Sequence, residues 1–92
     1  MLIRARLVRK GRNIVGEQVR RLRYERKLSQ PQLAAKCQRL GWDIGRDTIA
    51  KIEAQNRWVG DAELVFLARS LGVPLNDLFP PRTRNLIPRA VR

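Results

Sequence analysis

The side chains that ordinarily carry covalent or proton-transfer chemistry are almost missing from this sequence. It has no histidine and one cysteine, Cys37, set in an apolar stripe, and its eight carboxylates form no cluster. A general acid or base, an activated nucleophile or a Cys/His metal site has no evident constellation to occupy, so neither an enzyme nor a metal or cofactor protein is expected. What remains is fixed positive charge. Twenty Lys and Arg against eight Asp and Glu give a net charge of +12, which makes a polyanion the natural partner, nucleic acid being the commonest.

The charge is uneven along the chain. Residues 1–13 hold Arg4, Arg6, Arg9, Lys10 and Arg12 with no acid, and residues 80–92 hold Arg82, Arg84, Arg89 and Arg92 with none. The stretch between, 14–79, has eleven bases and all eight acids, a balance that suits an ordinary folded domain. A basic N-terminal arm (1–13), one domain (14–79) and a basic C-terminal tail (80–92) are therefore expected. A single cysteine allows no disulfide within the chain, which is compatible with a reducing cytoplasm. Apolar runs such as Leu64 to Ala68 fall far short of the roughly 20 residues that cross a bilayer, so no membrane role is expected.

The elements that must hold these charges in place are helical. Val15, Val19 and Leu22 recur at helical spacing and predict a first helix from about Val15 to Lys27. Ser29 is an N-cap for a second helix with Pro31 in its first turn, and Leu33, Ala34, Cys37 and Leu40 form its apolar face. Gly41 ends it, and Trp42 to Gly45 turn into a third helix with Ile49 and Ile52 inward. Asn56 to Gly60 read as a loop. Asp61 is expected to cap a fourth helix with core face Leu64, Leu67, Ala68 and Leu71. Gly72 ends that helix, Pro74 opens a short fifth, and Pro80-Pro81 stop it. Only Ile3, Ala5 and Leu7 alternate, weakly, as a strand would.

From Val15 to Phe79 the residues resemble the Cro and phage-repressor (XRE-type) helix-turn-helix family. The resemblance rests on Val-Gly-Glu-Gln-Val-Arg-Arg-Leu-Arg in the first helix, Leu28-Ser29-Gln30 with Leu33-Ala34 in the second, and Thr48 to Glu53 in the third. The ending Leu71-Gly72-Val73-Pro74-Leu75 with Leu78-Phe79 also fits. It implies an all-α, compact five-helix lambda-repressor-like domain whose second and third helices form a unit that reads double-stranded DNA. Two departures stand out. The stretch from Ala34 to Ile49 is about five residues longer than the family's common form, so that the second helix is expected to gain a turn, with Trp42 packed under the longer connection. Two residues after Glu53, where many members have glycine, this chain has Gln55, so a different loop backbone is expected.

Aligned on Ile49 and Glu53, the resemblance places base contacts on Arg46, Asp47 and Lys51, in a helix spanning about 45–54, with Gly45 and Thr48 beside them. Arg46 can form two hydrogen bonds with guanine O6 and N7, and Lys51 can reach the next bases. Asp47 either accepts from a cytosine N4 or simply complements the helix start. Gln30 corresponds to a phosphate- or base-contacting glutamine, or else to a first-turn cap; Asn56 and Arg57 correspond to backbone grip. Arg23 and Glu53 occupy the positions of a structural ion pair between the first and third helices. Phe66 falls roughly opposite the core face of the fourth helix with Val65 at its flank, and with Trp58 it is a candidate for a homodimer contact.

A sequence-specific transcriptional regulator is the leading expectation, the tails adding electrostatic grip and a basic arm entering the minor groove. Two alternatives stay open: an antitoxin-like adaptor that holds a protein partner, and a non-specific nucleic-acid binder driven by the tails.

Overall fold

The structure is a computed structural model and describes residues 11–88. Four α-helices follow one another: α1 (Gly16–Glu25), α2 (Gln30–Arg39), α3 (Arg46–Glu53) and α4 (Asp61–Leu71). Two 3-10 helices complete the order, Leu75–Leu78 and Pro81–Leu86. The fold is the all-helical one expected, and no strand occurs among the described residues. The weak alternation of Ile3, Ala5 and Leu7 lies outside them.

One core joins the helices. Val19 and Leu22 of α1, Leu33 and Cys37 of α2, Ile49 and Ile52 of α3, Leu67 and Leu71 of α4, and Leu78 all lie in it. Leu78 apart, these are residues whose spacing marked the apolar faces, as an amphipathic helix requires, but Leu40, expected on the face of α2, is exposed at its end and Leu64 of α4 is half-buried. Burial of this kind is the main source of stability in so small a domain, and it leaves few polar groups to be accommodated. Among the described residues every buried side-chain N or O atom has a hydrogen-bond partner, which avoids the penalty of about 1–3 kcal/mol for each unsatisfied group.

The helix boundaries follow from local chemistry. Ser29 Oγ accepts from Gln32 N (3.2 Å) while Gln32 Oε1 accepts from Ser29 N (2.7 Å), a reciprocal capping box at the start of α2. Helix α1 is shorter than expected at its end, because Lys27 turns into the left-handed region (φ 56°) and its N–H returns to Tyr24 O. The start of α1 is capped by Asn13, whose Oδ1 accepts from Val15 N (3.1 Å) and Gly16 N (2.8 Å). At α4 the cap position belongs to Gly60, with Asp61 already inside the helix, and Glu63 reaches back to Gly60 N (3.0 Å). Asp61 is thus not the cap, although its charge still favours the positive helix start. Gly72 closes α4 with φ 70°, the left-handed cap that glycine adopts without strain.

The fifth helical element is a single 3-10 turn at Leu75–Leu78, too short for α-helical hydrogen bonding beyond one turn. The chain does not leave the domain at Pro80: Pro81–Leu86 forms a further 3-10 helix and buries Thr83, whose Oγ1 donates to Pro80 O.

Candidate nucleic-acid interface

Helix α3 has two faces of opposite character. Ile49, Ile52 and Glu53 are buried, whereas Arg46, Asp47 and Lys51 are exposed and Thr48 and Ala50 half-buried. Gly45 precedes the helix in an extended conformation as its N-cap. Arg46 and Asp47 approach one another only loosely, at 3.9 Å, with side chains 60% and 87% exposed, so both remain available to an outside partner. The three residues expected to touch bases therefore share the solvent face of one short helix.

The inner side of α3 is held by a buried ion pair. Arg23 Nε donates to Glu53 Oε2 at 2.6 Å and Arg23 Nη2 to Glu53 Oε1 at 2.9 Å, in a fork with both side chains almost fully enclosed. Arg23 Nη1 donates in addition to Leu28 O (2.9 Å), and the hydrogen bond to Glu53 raises the guanidinium pKa above its ordinary value. Gln30 joins the same group, its Nε2 donating to Glu53 Oε1 at 3.0 Å. In this arrangement Gln30 neither caps α2, a task Ser29 and Gln32 perform, nor points freely outward; its amide ties the start of α2 to the end of α3.

The loop after α3 departs from expectation in an informative way. Gln55 adopts φ 62°, the left-handed backbone that a glycine would favour, so the loop keeps the glycine-type path with a side chain added to it. That side chain has a use: Gln55 Nε2 donates to Asn13 O (2.9 Å), while Arg12 N donates to Gln55 O (2.9 Å). Asn13 Nδ2 in turn donates to Ile52 O (3.1 Å) and Arg57 O (2.9 Å). The root of the N-terminal arm is thereby stitched to the C-terminal end of α3. Sequence reasoning noted Gln55 only as a departure from glycine and missed Asn13 and its bonds, because their partners lie about 40 residues away, at separations of 39, 42 and 44 positions.

Asn56 is exposed on this loop, as a phosphate contact requires. Arg57 is not comparably available. Its guanidinium forms a fork with Glu63 (2.8 and 3.1 Å) and donates to Trp58 O, and this pairing holds the Glu63 carboxyl below its usual range. Arg57 thus fixes the loop to α4, and its pairing with Glu63 leaves fewer of its N–H groups for the backbone contact the resemblance implied.

The longer connection between α2 and α3 runs from Leu40 to Gly45. Trp42 packs against the core as expected, and its ring stacks on Phe66 of α4 with centroids 5.8 Å apart. Phe66 is consequently half-buried beneath this connection, not the exposed ring that its position on the helical wheel implied. Gln38 Nε2 donates to Ile44 O and fixes the start of α3 from the other side. Val65 and Trp58 remain exposed, at 53% and 71%.

A family model described as helix-turn-helix matches residues 19–78. The restriction-modification controller protein C.AhdI from Aeromonas hydrophila is similar in structure, with a TM-score of 0.63 and 28% sequence identity over 71% of this chain and 91% of that one. A hypothetical transcription factor, NHTF from Neisseria, shares the fold, with a TM-score of 0.67 and 24% identity over 83% of this chain and 84% of that one. No curated protein sequence matches. Among the described residues no helix is long and apolar enough to cross a membrane. With the paired helices α2 and α3, the buried Arg23–Glu53 fork and a family match over most of its length, the chain belongs to the XRE-type helix-turn-helix family of DNA-binding transcription regulators.

Proposed function

We propose that the protein is a sequence-specific regulator that binds double-stranded DNA as a two-fold dimer, with α3 in the major groove. The observation that carries this reading is the solvent face of α3, where Arg46, Asp47 and Lys51 stand clear of the domain while Ile49, Ile52 and Glu53 anchor the opposite face. Arg46 reads a guanine through O6 and N7, Lys51 reaches a neighbouring base, and Asp47 selects a cytosine N4 or is turned aside by the phosphates. Gly45, Thr48 and Asn56 flank these residues and supply contacts to the backbone, which set register without carrying sequence information. The basic ends, residues 1–13 and 80–92, add sequence-independent grip. Val65 and Trp58, with the outer edge of Phe66, are the apolar surface on which two copies meet. The likeness to a restriction-modification controller protein supports the regulatory reading.

Selection of bound sites from a random duplex library at near-physiological salt tests it. A shared palindrome is expected, and Arg46→Ala should lose about 1–3 kcal/mol on the best site together with its preference at one base position. If no sequence is enriched, or Arg46→Ala weakens selected and scrambled duplexes alike, α3 is not the reader.

A further inference from the structure

Away from α3, the seam between the second half of α2 and the end of α4 carries another concentration of positive charge. Two adjoining grooves of about 420 and 230 Å3 open there, both lined by Lys36, Arg69 and Ser70, with Arg26 in one and Arg39 in the other. Neither groove is lined by an acidic residue or by any residue of α3. Among the described residues Lys36, Arg39 and Arg69 make no ion pair, whereas Arg21, Arg23, Arg26 and Arg57 each have a carboxylate partner. The lining is also partly apolar, with Leu28 half-buried and Leu40 exposed beside the cations.

We propose that this seam docks an acidic segment of a partner protein in which carboxylates alternate with leucine-like side chains. Unpaired cations gathered in one groove repel each other, and an anionic occupant relieves that repulsion. Residues 1–10 and 89–92 contain no Asp or Glu, so they do not match the seam. A nucleic-acid backbone would match the charge but brings no apolar side chain of leucine's size to cover Leu28 and Leu40. A peptide with both features satisfies the rim and the lining together, in the pattern of a polar rim around an apolar anchor. The proposal stands apart from the DNA-reading role of α3, so its failure would leave that role untouched.

The test uses the full chain at near-physiological salt with three probes: a short fluorescein-labelled peptide of repeating Glu-Glu-Leu, a Glu-Glu-Ser peptide of equal charge, and a random-sequence duplex. The Leu peptide should bind more tightly than the Ser peptide. The triple variant Lys36→Gln, Arg39→Gln, Arg69→Gln should weaken the Leu peptide by about tenfold, the combined effect of three exposed charge contacts, with duplex affinity and melting temperature kept. A triple variant of equal charge on another face, Arg20→Gln, Arg21→Gln, Lys27→Gln, should leave peptide affinity unchanged. Leu40→Ser should weaken the Leu peptide and not the Ser peptide. The proposal is overturned if the parent binds neither peptide, if both triple variants weaken the peptide equally, or if the two peptides bind alike. Loss of duplex affinity in parallel with peptide affinity would overturn it too, by showing that nucleic acid covers the seam.

Discussion

Removing the Glu53 carboxylate should destabilise the domain strongly, because it strands a buried charge. The carboxylate accepts from Arg23 Nε, Arg23 Nη2 and Gln30 Nε2, and the Arg23 and Glu53 side chains are only 6% and 4% exposed. In Glu53→Ala the guanidinium stays enclosed with Leu28 O as its remaining acceptor, and a buried charge stripped of its partner costs about 3–5 kcal/mol. Domains of this size have a total stability of roughly 5–10 kcal/mol, so the loss is about half of the total. At about 4–8 °C per kcal/mol the melting temperature should fall by at least ~12 °C. The double variant Arg23→Met, Glu53→Leu separates loss of the pair from creation of an orphan charge. Replacing both ions by apolar groups of similar volume removes the desolvation cost with the attraction, so it should melt well above the single variant. Thermal unfolding followed by far-UV circular dichroism measures all three proteins. If Glu53→Ala melts within about 2 °C of the parent, the shift is well under 1 kcal/mol and the fork is no more than a surface contact.

Substitutions at two further positions probe the junction at the end of α3. Gly16 sits where a Cβ would press on Ile52 O, with Glu53 O and Gln55 Cγ each 3.0 Å away, so Gly16→Ala must push α1 from α3 and lose about 1–3 kcal/mol despite alanine's better helix propensity; an unchanged melting temperature would show that the helices yield freely. At Gln55, alanine keeps the left-handed strain and loses the bond to Asn13, whereas glycine loses the bond and the strain together. Gln55→Gly should therefore melt above Gln55→Ala by the equivalent of about 1 kcal/mol, and equal melting points would mean that the backbone there is not strained.

Much of the fold was legible because it is written in local periodicity. Val19, Leu22, Leu33, Cys37, Ile49, Ile52, Leu67 and Leu71 mark helical faces by spacing alone, and all are buried. Ser29 and Gly72 announced helix ends by their own conformational chemistry. The solvent face of α3 was legible for the same reason, since the inward positions Ile49 and Ile52 leave Arg46, Asp47 and Lys51 outside. What escaped depends on contacts between distant segments. Phe66 lies off the core face of its own helix, and only the six-residue connection carrying Trp42 converts that position into a half-buried one. Arg57 has the charge of a phosphate contact, but Glu63, six residues on across the Gly60 turn, takes its guanidinium. Asn13 looked like the last residue of a basic arm because its polar side chain gives no periodic signal.

These distant contacts converge on one element. Helix α3 has eight residues, and an isolated helix of that length is not stable in water, where about 12–15 residues are marginal at best. Its existence therefore depends on the packing of Ile49 and Ile52 in the core, and its direction on that packing together with what grips its ends. The N-terminal end is set by Gln38 on Ile44 O and by the Trp42–Phe66 stack under the connection. The C-terminal end is set by the Arg23–Glu53–Gln30 group, by Asn13 on Ile52 O and by the close approach of Gly16. The two sets share no residue, so a change at one end should tilt the helix about the other before it unfolds. An element fixed at both ends has little conformational freedom left to lose on binding any partner, which lowers the ordering cost of binding. On the proposed reading, in which α3 contacts the bases, these grips serve recognition by holding Arg46, Asp47 and Lys51 outward.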